Sequence, residues 1–311
     1  MRYKVSLTTK LYPPQTGMIV IEPEDYTAEE IRKLKASGAK VLAYLSIGSV
    51  SNQRSYYSKL RQYTLKKLKD WPHERYLDLR EAVPRDWLIQ KAKAIKKKGI
   101  SDFWLDNVDI YEEYRDTEMF KGILAVLHGI KAIGGYVMIN GGSVFLMDML
   151  APNKVQLGGY REEKNALKVK AALKKAGFKS EIIEMDNLYK VQAGAFSLRS
   201  GADQKVEALH NAGLYSAKCI MLFDGKIRAY LDGVTQEEVF SLITDYSGKG
   251  KFGKQKQDES ERYQTIIRKL IKAGVEVYLL EYTRDNTLKL RIRAFCATTG
   301  AVACISDDVN L

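Results

Sequence analysis

The sequence predicts an α/β protein: a (β/α)8 TIM barrel interrupted between strands 5 and 6 by a ferredoxin-like βαββαβ domain. Two observations lead to this prediction. Strand-like and helix-like segments alternate before residue 151 and again after residue 224, which favours a parallel sheet. The chain between them carries an internal repeat of its own. The predicted domains are therefore a discontinuous barrel, 1–150 and 225–311, and an inserted domain, 152–223.

Five strand-like segments precede the insert. In the first helix between them, Thr27 is the expected N-cap, Glu30 completes a capping box and Gly38 ends the helix. Two further helices are predicted over 84–99 and 119–133, and none is predicted after the fifth strand. The five predicted strands are 18–21, 41–45, 75–79, 103–105 and 136–139.

Three more strands are predicted after the insert, each next to a helix-like segment. Eight strand–helix units in total indicate a closed barrel, and the length of chain outside the insert suits that fold. Two or three separate α/β domains in a row are the alternative. The three strands are 227–231, 275–280 and 301–305, and the helices are 236–244, 259–273 and 287–299.

The internal repeat consists of two units in register. The motif Val-Gln-Leu-Gly-Gly-Tyr at 155–160 recurs as Val-Gln-Ala-Gly-Ala-Phe at 191–196, which is 36 residues later. Gly177 and Gly213 match at the same offset and close a helix in each unit. A second β-type run ends each unit, so the pattern predicts a βαββαβ domain.

Composition limits the classes of function. The three cysteines and three histidines form no ligand pattern, so no metal site and no cofactor are predicted. No apolar run is long enough to predict a membrane span. The formal net charge of +12 favours polyanionic surroundings: nucleic acid, an acidic membrane or an anionic cell wall. No secretory signal is visible, which leaves phage-type release or a trimmed signal as export routes.

Candidate site residues follow the predicted barrel strands, because barrel enzymes place their chemistry at the carboxyl ends of the strands. Carboxylates dominate this set, which favours glycoside hydrolysis by two carboxyl groups. Acidic residues in these places also cap helices or pair with arginine, and that structural role stays open for each. The candidates are Glu22, Ser46, Asp106, Asn107, Asp109, Asn140, Asp232, Glu237, Glu238, Glu281 and Tyr282.

The chain outside the insert resembles family-114 glycoside hydrolases, the endo-α-1,4-polygalactosaminidase-like barrels. Five segments carry the resemblance: 43–48 (AYLSIG), 103–109 (FWLDNVD), 139–142 (INGG), 232–237 (DGVTQE) and 278–282 (YLLEY). The resemblance implies that Asp106 is the nucleophile and Glu237 the acid/base, with Glu238 as a rival for the second role. It also adds Tyr44 to the substrate-binding candidates.

One departure from the family concerns the loop after the second predicted strand. The family often has an acidic residue there, whereas the loop 49–54 (SVSNQR) has none. This departure leaves the sugar subsite at the loop, and with it the substrate, open.

The insert resembles the sporulation-related repeat, or SPOR, domain over residues 153–222. SPOR domains bind peptidoglycan glycan strands that lack stem peptides, on the face of their sheet. The resemblance therefore implies glycan contacts by Gln156, Tyr160, Gln192 and Phe196. A domain that only braces the barrel is the alternative. An RNA-binding domain is disfavoured because the aromatic-rich signatures of such domains are missing.

The leading interpretation is a hydrolase that acts at the cell wall on an amino-sugar polysaccharide and binds peptidoglycan through its insert. Polysaccharide and peptidoglycan are then the partners, and nucleic acid is not. The alternative is a wall-binding protein whose barrel has lost activity, which the missing acid near Ser49 supports. The sequence leaves the linkage and the anomeric outcome open.

Overall fold

The computed structural model describes residues 3–69 and 71–309. The chain divides into two compact units. The first consists of Met1–Ile110, Gly122–Ser143 and Ile227–Leu311, and the second of Tyr111–Lys121 and Val144–Lys226.

The strands form one parallel sheet and three antiparallel sheets. Within the described residues they are β1 Tyr3–Ser6, β2 Gly17–Ile21, β3 Ala39–Ser46, β4 Ser49–Ser51, β5 Thr64–Lys67, β6 Glu74–Leu77, β7 Asp102–Asp106, β8 Val137–Asn140, β9 Asn153–Tyr160, β10 Glu181–Met185, β11 Leu188–Phe196, β12 Lys218–Met221, β13 Gly233–Glu237, β14 Ser241–Asp245, β15 Lys251–Lys254, β16 Glu276–Tyr282 and β17 Val302–Ser306.

The helices begin and end with the expected signals in several places. The capping box of Thr27 and Glu30 is confirmed, and Gly99 ends the long basic helix in the left-handed conformation. The helices are α1 Ala28–Ala36, α2 Tyr57–Leu60, α3 Ala82–Lys98, α4 Ile110–Glu113, α5 Thr117–Ile133, α6 Ser143–Leu150, α7 Glu163–Lys175, α8 Arg199–Asn211, α9 Gln257–Lys272 and α10 Asn286–Thr299, with 3-10 turns at Pro23–Asp25, Arg61–Tyr63 and Ile227–Ala229.

The first unit contains a nearly closed barrel of eight parallel strands in the order β1-β2-β3-β7-β8-β13-β16-β17. β17 lies next to β1, although no ladder joins them within the described residues. Large apolar side chains fill a core of the barrel and exclude water from it. This core includes Tyr3, Val5, Met18, Val20, Leu42, Trp104, Met138, Tyr278, Leu280 and Tyr282.

Two of the eight predicted barrel strands were wrong, although the number was right. The segment 75–79 does not enter the barrel, because β6 pairs antiparallel with β4 and β5 in a side sheet. The segment 227–231 begins as a 3-10 turn. Its buried side chains, Ile227 and Leu231, are four residues apart, but Ala229 between them is exposed, whereas a strand with one buried face would bury it too. β1 and β13 take the two places.

Two helix predictions were also wrong. The segment 236–244 was predicted as a helix, but it contains the end of β13 and most of β14. The buried carboxylate of Glu281 stabilises a non-helical backbone between those strands, because it accepts hydrogen bonds from three main-chain N–H groups there. Conversely, α6 follows β8, where no helix was predicted.

The second unit contains the predicted βαββαβ arrangement. Its antiparallel sheet has the order β10-β11-β9-β12, and the apolar core between the sheet and α7 and α8 includes Val155 and Val191. Register shifts interrupt the pairing of β9 and β11 within both copies of the repeat. In each copy an aromatic ring covers a glycine two residues earlier: Tyr160 lies against Gly158 and Phe196 against Gly194.

Candidate active site

Four polar side chains come from the last residues of four neighbouring barrel strands. Asp106 ends β7, Asn140 ends β8, Glu237 ends β13 and Tyr282 ends β16. Because the strands are parallel, these ends lie at one rim of the barrel, where barrel enzymes carry their catalytic groups. The hydrogen bonds among the four side chains join them into one cluster.

Asp106 is held on both carboxyl oxygens. Oδ1 accepts from Nδ2 of Asn140 at 3.0 Å, and Oδ2 accepts from the hydroxyl of Tyr44 at 3.2 Å. Burial raises the pKa of Asp106, and the N–H and O–H donors of Asn140, Asn107 and Tyr44 oppose that rise because they stabilise the charged form. The negative charge of the Asp106 carboxylate is thus stabilised by hydrogen-bond donors of the site.

Glu237 is bound on both oxygens too. Oε1 accepts from Nδ2 of Asn140 at 2.7 Å, and Oε2 accepts from the hydroxyl of Tyr282 at 2.9 Å. Burial raises the pKa of Glu237 to about 7, and the negative charge of Asp106 adds to the rise. A carboxyl group with that pKa can give and take a proton near neutral pH.

The separation of the two carboxyl groups is limited by their shared donor. Asp106 Oδ1 and Glu237 Oε1 cannot lie farther apart than the sum of their 3.0 and 2.7 Å bonds to Asn140. Retaining glycosidases place their two carboxyl groups roughly 5–5.5 Å apart, and inverting ones roughly 6.5–9.5 Å apart. Because this bound applies to one oxygen of each carboxyl group, it favours the shorter retaining separation over the inverting one.

The loop after β3 fits closely against the loop after β7. Asn107 has a φ of 63°, and its Nδ2 donates to the hydroxyls of Ser46 at 2.9 Å and Ser49 at 3.0 Å. A Cβ on Gly48 would lie 1.8 Å from the carbonyl oxygen of Asn107, so only glycine fits there. Asn107 and Ser46 therefore position the loop that borders Asp106.

An acid that the sequence did not single out lies against this loop. Glu74, on β6 of the side sheet, accepts a short hydrogen bond from the hydroxyl of Ser49. No pattern in the sequence indicates this contact, since the two residues are 25 positions apart and the segment of β6 was predicted as a barrel strand. Glu74 thus supplies a carboxylate beside a loop that has none of its own.

Ser49 and Glu74 line a cavity of about 400 Å³ including its mouth. Glu22, on the same wall, accepts from Arg54 at 2.6 Å, and Glu24 accepts from Arg54 at 2.9 Å and from Lys91. Tyr44 lines the cavity and also donates to Asp106, so the cavity adjoins the catalytic candidates. The other lining residues include Ser46, Tyr56 and Ser51.

Three further candidates form hydrogen bonds elsewhere, and a fourth is exposed. Asp232 precedes β13 and accepts from Lys131 and from the N–H of Val137, at the amino ends of the strands. Glu281 is fully buried under the loop after β13, on the other face of β16 from Tyr282, because neighbouring side chains of a strand alternate. Glu238 accepts from the N–H of Ile243, and Asp109 is exposed.

The four candidates in the second unit lie on two different faces of its sheet. Tyr160 and Phe196 pack beside the core formed with α7 and α8. Gln156 and Gln192 line a cavity on the opposite face. The register shift within each copy of the motif accounts for the separation, because an extra residue reverses the alternation of side chains.

Two further features concern the described residues only. Among residues 3–69 and 71–309, no group of three or more His, Cys, Asp or Glu side chains is placed to hold a metal ion. No helix in that part of the chain combines the length and the apolar character that a bilayer span requires.

Comparisons with known proteins find solved structures similar to nearly the whole chain and family models that match two segments of it. The chain is similar in structure to a variant of the glycoside hydrolase domain of PelA from Pseudomonas aeruginosa, with 14% identity, a TM-score of 0.61, and coverage of 99% of this chain and 96% of that one. It is also similar to Ega3 from Aspergillus fumigatus in complex with galactosamine, with 13% identity, a TM-score of 0.58, and coverage of 100% and 92%. No curated protein matches the chain.

The model of glycoside-hydrolase family GH114 matches residues 2–125, and that of the SPOR domain matches residues 153–220. Residues 2–125 are therefore identified with glycoside-hydrolase family GH114, and residues 153–220 with the SPOR domain.

Proposed function

We propose that the chain hydrolyses an amino-sugar polysaccharide with retention of anomeric configuration, using Asp106 and Glu237. The observation that supports this most directly is the pair of hydrogen bonds from one Asn140 nitrogen to both carboxyl groups. It keeps the two groups within the separation that a double-displacement mechanism needs. The raised pKa of Glu237 supports its role as the acid.

In the first step, an oxygen of Asp106 attacks the anomeric carbon while Glu237 gives its proton to the departing glycosidic oxygen. A covalent glycosyl ester on Asp106 and a free sugar hydroxyl result. In the second step, Glu237 takes a proton from water, and the water oxygen attacks the anomeric carbon and releases Asp106. Tyr282 and Asn140 keep Glu237 oriented through both steps.

The cavity beside Asp106 supports a substrate that carries amino groups. Three carboxylates, Glu22, Glu24 and Glu74, line it together with the cations of Arg54 and Lys91. Glu22 and Glu24 are already paired with these cations, whereas the side chain of Glu74 contacts a neutral hydroxyl. An ammonium group of the substrate is the natural partner for Glu74. The galactosamine bound to Ega3, a structure of similar fold, agrees with this substrate class.

The second unit gives the proposed enzyme its location. We infer that the SPOR domain is inserted between the fifth and sixth barrel strands, β8 and β13, and binds peptidoglycan glycan. The match to the SPOR model supports the ligand, and the chain order of β9–β12 supports the insertion. The net charge of +12 favours attraction to an anionic wall.

A wall-binding protein with an inactive barrel is the alternative. Its main support was the absence of an acid near Ser49, and Glu74 now supplies a carboxylate at that loop. Hydrogen-bond donors stabilise the charged form of Asp106, and burial raises the pKa of Glu237 to about 7. Both effects favour an active site over a degenerate one.

The test compares hydrolysis of polygalactosamine and of purified sacculi by the unmodified chain and by Asp106→Asn, Glu237→Gln and Glu238→Gln, with mass spectrometry of the products. We expect the first two substitutions to lower kcat by at least about 10³-fold and the third to have a much smaller effect. NMR of the first-formed product should show the anomer of the substrate. Near-normal turnover by Asp106→Asn would refute the mechanism.

A further inference from the structure

A basic face lies on the outside of the first unit, on the neighbouring helices α9 and α10. Residues 263–272 of α9 and the whole of α10 contain six Lys or Arg and no Asp or Glu. Five of these six side chains are exposed and one is half-buried. Within residues 3–69 and 71–309, none of the six forms an ion pair. The six, which define the basic face, are Arg268, Lys269, Lys272, Lys289, Arg291 and Arg293.

Two arginines of the basic face lie over aromatic rings. The guanidinium carbon of Arg268 is 5.0 Å from the ring centroid of Phe295, and that of Arg291 is 5.2 Å from the ring centroid of Phe240. The two rings meet edge to face, with centroids 5.3 Å apart. The two guanidinium groups therefore lie no farther apart than these three distances combined, so a short segment of one polymer can reach both.

Both rings are fixed in the fold. Phe240 is 4% exposed, its N–H donates to the two carboxyl oxygens of Glu281 at 3.1 and 3.2 Å, and its carbonyl accepts from the N–H of Gln255 at 2.9 Å. Phe295 is 8% exposed and lies on the buried side of α10. Because the rings cannot move far, the arginines stacked on them are preorganised for a ligand.

A third arginine shows what a guanidinium does when the protein uses it internally. Arg284 stacks on Phe252 at 4.7 Å, and its N–H groups donate to three main-chain carbonyls at 2.7, 2.9 and 3.2 Å. Arg268 and Arg291 make no such hydrogen bond in the part of the chain that the structure describes. The N–H groups at the edges of these two guanidiniums are therefore open to an external oxyanion.

We propose that the basic face binds a linear phosphodiester polymer of the cell wall, with Arg268 and Arg291 each binding one phosphate. A guanidinium presents paired N–H groups that match two oxygens of a phosphate, and the other cations of the face add attraction for the charges that follow along the polymer. The inference rests on the proposed location at the wall. It adds a second ligand, bound by the first unit and separate from the glycan.

The same face is less suited to nucleic acid or to a membrane surface. Proteins that bind single-stranded nucleic acid stack its bases on accessible aromatic rings, whereas Phe240 and Phe295 are buried beneath guanidinium groups. A helix that lies in a membrane surface turns an apolar face to the lipid. In α10, which the structure describes completely, Leu288 and Ile292 are buried, and Leu290 is the one large apolar side chain that is exposed.

The experiment measures binding of the full chain to fluorescently labelled poly(glycerol phosphate) by fluorescence anisotropy at low and at physiological salt. A labelled DNA duplex and vesicles of anionic phospholipid are the competing ligands. Arg268→Gln combined with Arg291→Gln should weaken binding of the polymer at least about tenfold, because two charge-assisted contacts are lost. Arg32→Gln combined with Lys97→Gln is the matched control, since it removes the same charge from exposed sites on α1 and α3 and should change the affinity little.

A second double variant distinguishes fitted guanidinium groups from diffuse charge. Arg268→Lys combined with Arg291→Lys keeps both charges but removes the paired donors and should weaken binding about threefold or more. All four substitutions on α9 and α10 use good helix formers, and circular dichroism checks the fold. If the glutamine variant does not fold, the lysine variant decides the test alone.

Equal losses in the glutamine variant and its control, or full affinity in the lysine variant, overturn the proposal, because either result means diffuse attraction. Absence of polymer binding at both salt concentrations also overturns it, as does tighter binding of the duplex or of the vesicles. The assay requires neither hydrolysis nor peptidoglycan. Polymer binding by a chain that cleaves no amino-sugar glycan therefore overturns the catalytic proposal alone, and an active hydrolase that does not bind the polymer overturns this inference alone.

Discussion

Asp106 and Glu237 accept hydrogen bonds from the same atom, Nδ2 of Asn140, at 3.0 and 2.7 Å. One amide nitrogen therefore determines how far apart the proposed nucleophile and the proposed acid/base lie. Rotating the amide by half a turn would place Oδ1 against two acceptors, so the present orientation is strongly preferred. Oδ1 itself is buried and has no partner, which indicates that the arrangement serves the site and not stability.

Asn140→Ala should lower kcat by about 10–100-fold, because hydrogen bonds to charged groups contribute ~1.5–3 kcal/mol. The N–H of Asn140 lowers the pKa of Glu237, so its removal should move the alkaline limb of the pH–rate profile to higher pH. Rates across pH 4–9 on a soluble oligosaccharide provide the measurement. An unchanged profile would show that Asn140 does not link the two carboxyl groups.

The pH dependence of kcat/KM should follow from the two carboxyl groups. Glu237 must carry a proton in the first step, so the rate should fall as pH rises through about 7, the pKa of Glu237. Asp106 must be ionised, so the rate should also fall at acid pH. In Glu237→Gln, a substrate with an activated leaving group needs no acid, and the alkaline limb of the glycosylation step should disappear. Its persistence would assign the limb to another group.

The fold was more predictable than the site, and the reasons are local. Apolar runs such as 103–105 mark buried strands whatever lies beside them. β13 was missed because its sequence, GVTQE, is polar, although Thr235 is buried and hydrogen-bonded to Trp104 and Tyr3 inside the barrel. Periodicity detects apolar burial and not buried hydrogen-bond networks.

In the candidate site, strand ends identified Asp106, Asn140 and Glu237, because parallel strands bring their carboxyl ends together. Glu74 could not be found that way, since it enters from a side sheet whose pairing is antiparallel and non-local. Asp232 was predicted to follow the sixth strand, but that strand starts after it, so Asp232 lies at the opposite end of the strand. An error in one strand boundary thus moves a residue from one rim of the barrel to the other.

The stability of the chain should depend on pH through Glu237. Its folded pKa of about 7 lies above the ordinary value of 4.5, so the folded state loses stability as pH rises from about 4.5 to about 7, and the full loss is present above 7. Glu237→Gln should therefore raise Tm by a few degrees at pH 8 and have little effect at pH 4. Burial raises the pKa of Glu281 to about 7 as well, so Glu281→Gln should show the same direction of pH dependence, offset at pH 8 by the weaker acceptor that it leaves for three N–H groups. Equal effects of Glu237→Gln at pH 4 and pH 8 would contradict the prediction.

Glu74→Gln should affect substrates according to their charge. The substitution keeps the size of the side chain and a possible acceptor for Ser49 while removing the negative charge. We expect KM for a polygalactosamine oligomer to rise about tenfold, since a charge-assisted hydrogen bond is lost. KM for the matching N-acetylated oligomer, which is neutral, serves as the control and should change little. A similar rise for both oligomers would indicate a positional effect of Glu74 on the loop of Ser49.

Removal of residues 153–222 should separate wall binding from hydrolysis. Asn153 and Met221 are cross-strand partners at the ends of β9 and β12, and the N–H of Leu222 donates to the carbonyl of Pro152 at 2.9 Å. The ends of the removed segment are therefore adjacent, and a short Gly/Ser linker can join them. The shortened chain should still cleave small soluble oligosaccharides, but it should no longer sediment with sacculi stripped of stem peptides by an amidase.

Because the removed segment carries more Lys and Arg than Asp and Glu, a high-salt wash is the control: screening removes exposed charge contacts and spares a fitted glycan site. Undiminished sedimentation of the shortened chain after that wash would place the wall-binding surface outside the SPOR domain.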